Sequence, residues 1–262
     1  MTLIAVVREV SAALQHCELS FVAREPINLE LGRRQHAAYA QALADLGCDV
    51  VTLPALDAMA DSVFVEDVAV VFDEVAVMTR PGAPSRREEG ASVAAALAAY
   101  RPLLRIEAPG TLDGGDVLRC GRSVFVGRSA RSNAAGFDQF RTLLEPFGYQ
   151  VQVVDMRDCL HLKSAVTAVA EDLLLINPTW VDVAAFAGFQ WIEVAADEPH
   201  AANALRIAAG ETEGVIYPDC FPQTLARMRE AGIAVTAIDL SELQKAEGAV
   251  TCCSLLMRLA QT

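Results

Sequence analysis

The sequence predicts an α/β fold built from about five strand–strand–helix–strand units repeated around an axis. Three observations predict it. Pairs of short apolar runs recur around polar turns at Asp73-Glu74, Gly121-Arg122, Glu171-Asp172 and 210–214, the signature of β-hairpins. The turn centres lie roughly 40–50 residues apart, a period found in repeat architectures. After most of the pairs comes a helical stretch and then another apolar run. Radial repetition of such units leaves few exposed sheet edges and gathers loops around the axis.

The elements follow in order. Residues 3–7 read as an opening strand, 35–46 as a helix stopped by Gly47, and 50–53 as the strand after it. The hairpin 68–78 precedes an Ala- and Glu-rich helix at 87–100 and a strand at 103–106. A helix over 132–147 carries Phe137, Phe140, Leu143 and Leu144 at helical spacing and ends at Gly148, before the alternating strand 151–154. Residues 222–231 form a helix ahead of Gly232 and the strand 233–238. The last apolar segment, 249–256, is expected to be the strand that completes the first unit. No Pro/Ser-rich linker divides the chain, so one domain over 1–262 is expected.

Composition narrows the function. The chain has 262 residues, 53% of them apolar, and a formal charge of −13. That charge argues against nucleic acid or an anionic membrane as partner and suits a cationic ligand. The N-terminus lacks a basic start and a long apolar stretch, so no signal peptide is expected, and no apolar run approaches the roughly 20 residues of a membrane helix. Seven scattered cysteines without CxxC spacing read as reduced thiols in a cytoplasm, most of them small buried hydrophobes.

One set of residues suggests chemistry. Cys252 near the end of the chain, His161 and the acidic turn Asp113-Gly114-Gly115-Asp116 could form a nucleophilic site if the fold assembles them. Each has a plainer reading. Cys252 and Cys253 on a strand would face opposite sides, one toward a cavity and one into the sheet. His161 could be a satisfied core histidine, and the acidic turn only a turn. His16, His36 and His200 read as surface, and four histidines without paired spacing make a zinc site improbable. Asp61, Glu66 and Asp67 lead into an apolar strand. Arg86, in a segment with Arg80 and Arg87, and Arg131 are either solvated or guanidinium forks for a carboxylate.

Seven segments taken in order resemble the dimethylarginine dimethylaminohydrolases of the guanidino-group-modifying (amidinotransferase) superfamily. They are 61–67, 79–88, 108–116, 129–133, 160–163, 201–203 and 248–252. The resemblance runs over essentially the whole chain and implies a five-bladed α/β propeller, or pentein, with a central active-site cavity. It makes Cys252 the nucleophile, His161 the general acid/base and Asp113 the acidic third member, with Asp116 as the alternative. It implies that Asp61 and Asp67 hold guanidinium nitrogens, with Glu66 in support, and that Arg86 and Arg131 bind an α-carboxylate. Leu19 and Ala246 would offer backbone carbonyls to the substrate, Phe64 would shape the pocket, and Thr251, next to the nucleophile, would bind the substrate. The implied activity is hydrolysis of Nω-methylated arginine to citrulline and an amine, with no metal and no cofactor. The implied partner is a small guanidinium amino acid; a homodimer is left open. The alternatives are a deiminase or hydrolase of arginine or another guanidine, and a non-catalytic propeller that binds a partner.

Overall fold

The structure, a computed structural model, describes residues 2–210 and 212–259. In chain order it contains strand β1 (Thr2–Arg8), helix α1 (Leu29–Asp45), β2 (Cys48–Leu53), β3 (Ala69–Val71), β4 (Ala76–Met78), α2 (Gly90–Ala98) and β5 (Leu103–Arg105). Then come β6 (Val117–Cys120), β7 (Ser123–Gly127), α3 (Ala134–Leu144), β8 (Gln150–Val154), α4 (Leu162–Ala165), β9 (Val166–Ala168), β10 (Leu173–Ile176) and β11 (Gln190–Glu193). The chain finishes with β12 (Leu205–Ala209), β13 (Thr212–Pro218), α5 (Pro222–Glu230), β14 (Val235–Ile238), α6 (Ser241–Gln244) and β15 (Leu255–Leu259).

These strands form five three-stranded sheets: β3-β4-β5, β6-β7-β8, β9-β10-β11, β12-β13-β14 and β15-β1-β2. In each, the first strand runs antiparallel to the second and the second parallel to the third. A tight turn suffices for the antiparallel pair, whereas the parallel pair needs a crossover. Helices α1, α2, α3 and α5 supply four of the crossovers, and a 3-10 turn at Val183–Phe186 supplies the one before β11. Asn28 and Asn133 begin α1 and α3 by accepting hydrogen bonds from Leu31 N at 3.1 Å and Gly136 N at 2.8 Å.

The apolar core is divided among the junctions between neighbouring sheets. On β1, Ile4 and Val6 pack toward β3 and β4, while Leu3, Ala5 and Val7 pack toward β12 and β13. Period-two alternation therefore places the two sides of one strand in two different cores. Three further clusters fill the remaining junctions, so the ring of sheets closes as the five-bladed α/β propeller of the expectation. The first strands of all five sheets line a central cavity of about 420 Å³. No helix among the described residues is long and apolar enough to cross a membrane.

Three expectations need correction. The closing strand is Leu255–Leu259, so the part of 249–256 that holds the cysteines is a turn. Its backbone is held by non-ladder bonds, such as Cys252 N to Ala249 O at 3.2 Å, and its apolar character reflects burial rather than pairing. Helix α1 starts at Leu29, two turns before the expected 35, because the cap at Asn28 lies upstream of the strongly apolar part. His36 is buried in α1 rather than on the surface, and burial holds its pKa down to about 4.

Candidate active site

Five segments, each running into the first strand of a sheet, meet at one end of the propeller. They are 61–68 before β3, 108–116 before β6, 156–165 before β9, 197–204 before β12 and 246–254 before β15. At that end lies a small cavity of about 20 Å³. Cys252, His161, Asp67, Asp61, Phe64, Arg86, Arg131 and Ala246, all expected from the sequence, line it. So do Glu18, Leu160 and Glu247, which the sequence reading did not single out. Cys252 is half-buried and faces this cavity, whereas the Cys253 side chain is sealed in the core. The opposite facing of the two thiols survives although they are not on a strand.

His161 precedes the short helix α4 and is buried. Its Nε2 is 3.1 Å from Asp113 Oδ2 and its Nδ1 is 3.8 Å from Asp67 Oδ1. Burial alone would lower its pKa. Asp67, the hydrogen bond to Asp113 and the charge of Asp116 outweigh that and raise it to about 9. Burial would likewise raise Asp67, but His161 and Arg86 pull it down to about 2. Asp113 is thus the carboxylate in contact with the imidazole. Asp116 lies one step back: its Oδ1 accepts Leu162 N at 3.1 Å, and its Oδ2 accepts the hydroxyls of Ser129 and Ser132. It anchors the turn that carries His161, and burial raises its own pKa to about 6.

The glycines of the acidic turn explain its spelling. A Cβ on Gly115 would sit 2.5 Å from His161 Nδ1, and one on Gly114 2.0 Å from the Glu66 carbonyl. Backbone must approach the imidazole and the neighbouring segment this closely for the site to form. Gly115 N also donates to Asp67 Oδ1 at 3.0 Å, which ties the β3 and β6 segments together.

The thiol is held in its neutral form. Burial, then the charges of Glu66 and Asp67, push Cys252 up to about 12. The cluster Asp67, Asp113 and His161 brings its donor atoms within 4.8 Å of one another, close enough for a metal ion.

The expected binding residues differ in how they are held. The Arg86 guanidinium is enclosed: Nε and Nη2 donate to Glu89, Nη1 donates to Asp67 Oδ2 at 2.6 Å, and Nη2 also reaches the carbonyls of Asp61 and Phe64. One Nη1 hydrogen is left for any carboxylate. Arg131 is the freer cation; its Nη2 donates to Ser20 Oγ at 3.2 Å. Leu19 packs against the core while its neighbour Glu18 lines the cavity. Thr251 and Glu66 face the large central cavity rather than the small one. Thr251 Oγ1 donates to Glu66 Oε2 at 2.8 Å, and Glu66 Oε1 pairs with Lys163 Nζ. These three residues form a floor between the two cavities.

Glu247 is the largest omission. It adopts φ 57°, a strained value for a residue with a side chain. Its Oε1 accepts the backbone N–H groups of Ser20, Phe21 and Val22, pinning the 18–22 loop over the cavity. Nothing in the local sequence signals this, because the contact spans the chain.

Comparisons with known proteins place the chain in a family. The family model described as "N,N dimethylarginine dimethylhydrolase, eukaryotic" matches residues 6–258. The N(G),N(G)-dimethylarginine dimethylaminohydrolase of Streptomyces coelicolor is 38% identical over 97% of this chain and 96% of its own. That of Pseudomonas aeruginosa is 37% identical over 84% of this chain and 86% of its own. A solved cysteine-to-serine variant of the Pseudomonas aeruginosa enzyme, complexed with citrulline, superposes with a TM-score of 0.90 at 32% identity, covering 98% of this chain and all of the other. A histidine-to-glycine dimethylarginine dimethylaminohydrolase, in an adduct with S-methyl-L-thiocitrulline, superposes at 0.91 with 33% identity, again over 98% of this chain and all of the other. An acid-lined cavity that joins thiol and imidazole, and sequence likeness along nearly the whole chain, lead to one assignment: the chain belongs to the dimethylarginine dimethylaminohydrolase family.

Proposed function

We propose that the chain hydrolyses Nω-methylated arginine, releasing citrulline and dimethylamine or methylamine through a covalent S-alkylthiouronium on Cys252. One observation carries the proposal: Cys252 and His161 line the same small cavity as the carboxylates of Asp61 and Asp67. A guanidinium is a poor electrophile because its charge is delocalised, so it needs carboxylates to orient it and a strong nucleophile.

The thiol at about 12 is unreactive at neutral pH. A guanidinium seated against Asp67 brings a positive charge to a thiol that burial, Glu66 and Asp67 keep protonated, so the thiol proton leaves to solvent as substrate binds. The thiolate attacks the guanidinium carbon. His161, protonated at rest, gives its proton to the departing amine as the C–N bond breaks. Neutral His161 then removes a proton from water, hydroxide adds to the thiouronium carbon, and the C–S bond breaks to return the thiolate and release citrulline, the added hydroxyl losing its proton to solvent. Asp113 keeps the imidazole oriented through both transfers. Arg131, with the remaining hydrogen of Arg86, is placed to take the α-carboxylate.

A cavity of about 20 Å³ holds roughly one water. Substrate therefore enters only when the 18–22 loop lifts from Glu247 and Arg131. All seven cysteines are free thiols, which fits a reducing cytoplasm.

The test is citrulline formation from arginine, monomethylarginine and asymmetric dimethylarginine. Turnover of the methylated substrates, lost in Cys252→Ser, is expected. Turnover of unmethylated arginine alone would make the chain a deiminase. No turnover of any of the three would leave a hydrolase of another guanidine or a binding protein.

A further inference from the structure

The segments before β3, β6, β9 and β15 each deliver a side chain to the reaction just described: Asp67, Asp113, His161 and Cys252. The corresponding segment before β12 delivers Asn203, which is buried and does not line the small cavity. Its amide is almost fully used. Nδ2 donates to the Lys163 carbonyl at 2.9 Å and to Thr251 Oγ1 at 3.0 Å, and Oδ1 accepts Thr251 N at 3.1 Å.

These partners are one or two residues from the chemistry. Lys163 follows His161 by two positions and Thr251 immediately precedes Cys252. Both backbone groups lie outside any sheet ladder: Thr251 N is in a turn, and Lys163 O belongs to a four-residue helix whose carbonyls need outside partners. From the far side, Glu66 closes the network. It pairs with Lys163 Nζ, accepts from Thr251 Oγ1, and its backbone N donates to Cys252 O at 3.1 Å.

We propose that Asn203 is a positioning residue that fixes the turn carrying His161 against the turn carrying Cys252, so that thiolate and proton donor reach the same carbon. The proposal rests on the hydrolase reading above. An amide is required because the site needs two donors and one acceptor in one plane. Asparagine supplies that set; aspartate would keep the acceptor, lose both donors, and set a carboxylate against the Lys163 carbonyl. Displacing a reacting group by about 1 Å can cost on the order of 10²-fold in rate.

The test compares Asn203→Ala and Thr251→Val, which breaks the same network from the other side, with wild type and with Thr251→Ser, which keeps the hydroxyl. Steady-state kinetics on asymmetric dimethylarginine are combined with iodoacetamide alkylation of Cys252, followed by mass spectrometry across pH 6–10. The expected result is kcat lowered about 10²-fold with KM within about twofold in the first two variants, near-normal kcat in Thr251→Ser, and a Cys252 alkylation profile displaced from wild type. The proposal is overturned by kcat within twofold of wild type in Asn203→Ala, by a change confined to KM, or by loss of folding in both variants, which would mark a purely structural amide. Should wild type itself turn over no methylarginine, the hydrolase reading has failed. The alkylation profile then decides by itself, an unchanged profile in Asn203→Ala overturning the positioning role.

Discussion

His161 ties stability to pH in a way that can be worked out and measured. Its pKa rises from 6.5 to about 9 because Asp67, Asp113 and Asp116 outweigh the effect of burial. At ~1.4 kcal/mol per pH unit, that interval corresponds to roughly 3 kcal/mol of stabilisation by the imidazolium. Below pH 6.5 the ring is charged in both folded and unfolded chains, so the stabilisation is complete. Between 6.5 and about 9 the unfolded chain has lost its proton while the folded one keeps it, and the contribution shrinks. Above about 9 it is gone. The perturbation is His161→Gln, and the assay is urea unfolding of wild type and variant at half-unit steps from pH 6 to 9.5. The difference between the two should shrink by up to about 3 kcal/mol across that range, offset in part by Asp67 and Asp116, whose carboxylates lose the imidazolium charge in the variant. A difference that stays constant with pH would show that the imidazole is not held protonated by its carboxylates, and the proton donor assigned to amine departure would be lost with it.

Other perturbations separate residues that the sequence left equivalent. Arg86→Ala should cost about 3–5 kcal/mol in urea unfolding, since it leaves Asp67 and Glu89 buried without their partner. Arg131→Ala should leave stability near wild type and raise KM for asymmetric dimethylarginine while kcat is largely kept, because its guanidinium touches only Ser20 and lies away from the reacting carbon. Glu247→Ala should accelerate hydrogen exchange at the amides of residues 20–22 by at least tenfold, read by mass spectrometry, since one carboxylate oxygen holds all three. Unchanged exchange there would mean that something else secures the loop.

Local pattern carried much of the architecture. The hairpin turns at Asp73-Glu74 and Gly121-Arg122 stand where the polar interruptions predicted, and Gly148 at φ 75° ends the helical stretch that its spacing marked. Periodicity misled where burial came from tertiary contact. The apolar run at 249–254 is buried as a turn by Tyr39, Asn203 and Phe64, not as a strand, and no local signal separates those cases. His36 misled for the same reason: its burial depends on what covers α1. Within the site, residue type pointed to the thiol, the imidazole and the carboxylates, but not to which carboxylate touches which base. That Asp113 meets His161 while Asp116 anchors its turn depends on a difference of three residues along a bent segment. Equally, two arginines with the same expected role divide into a buried scaffold and a freer cation through the tertiary placement of Glu89, Asp67 and the carbonyls of Asp61 and Phe64.

The pairing of charges around the cavity leaves a remainder that describes the ligand. Arg86 is matched by Asp67 and Glu89, and His161 by Asp113 and Asp67. Burial raises Glu89 to about 7, so its carboxylate tolerates partial neutralisation and the Arg86 cluster stays near balance. Asp61 is then left with only a backbone donor, Glu18 N at 3.1 Å, and burial raises its pKa. One Glu247 carboxylate oxygen is buried with no partner, and Arg131 has only a serine hydroxyl. Burying such groups unpaired is costly, so the site is most stable when a ligand completes it. The unmatched set has an anionic surplus at the thiol end and a cation under the loop. A ligand that satisfies both must carry a positive head toward Asp61 and Cys252 and a carboxylate toward Arg131, which is the charge pattern of an arginine-like amino acid and not that of a simple amine. Burial, then the charges of Glu66 and Asp67, hold the thiol protonated in the absence of ligand, and a cationic head beside Asp67 would offset only the last of these.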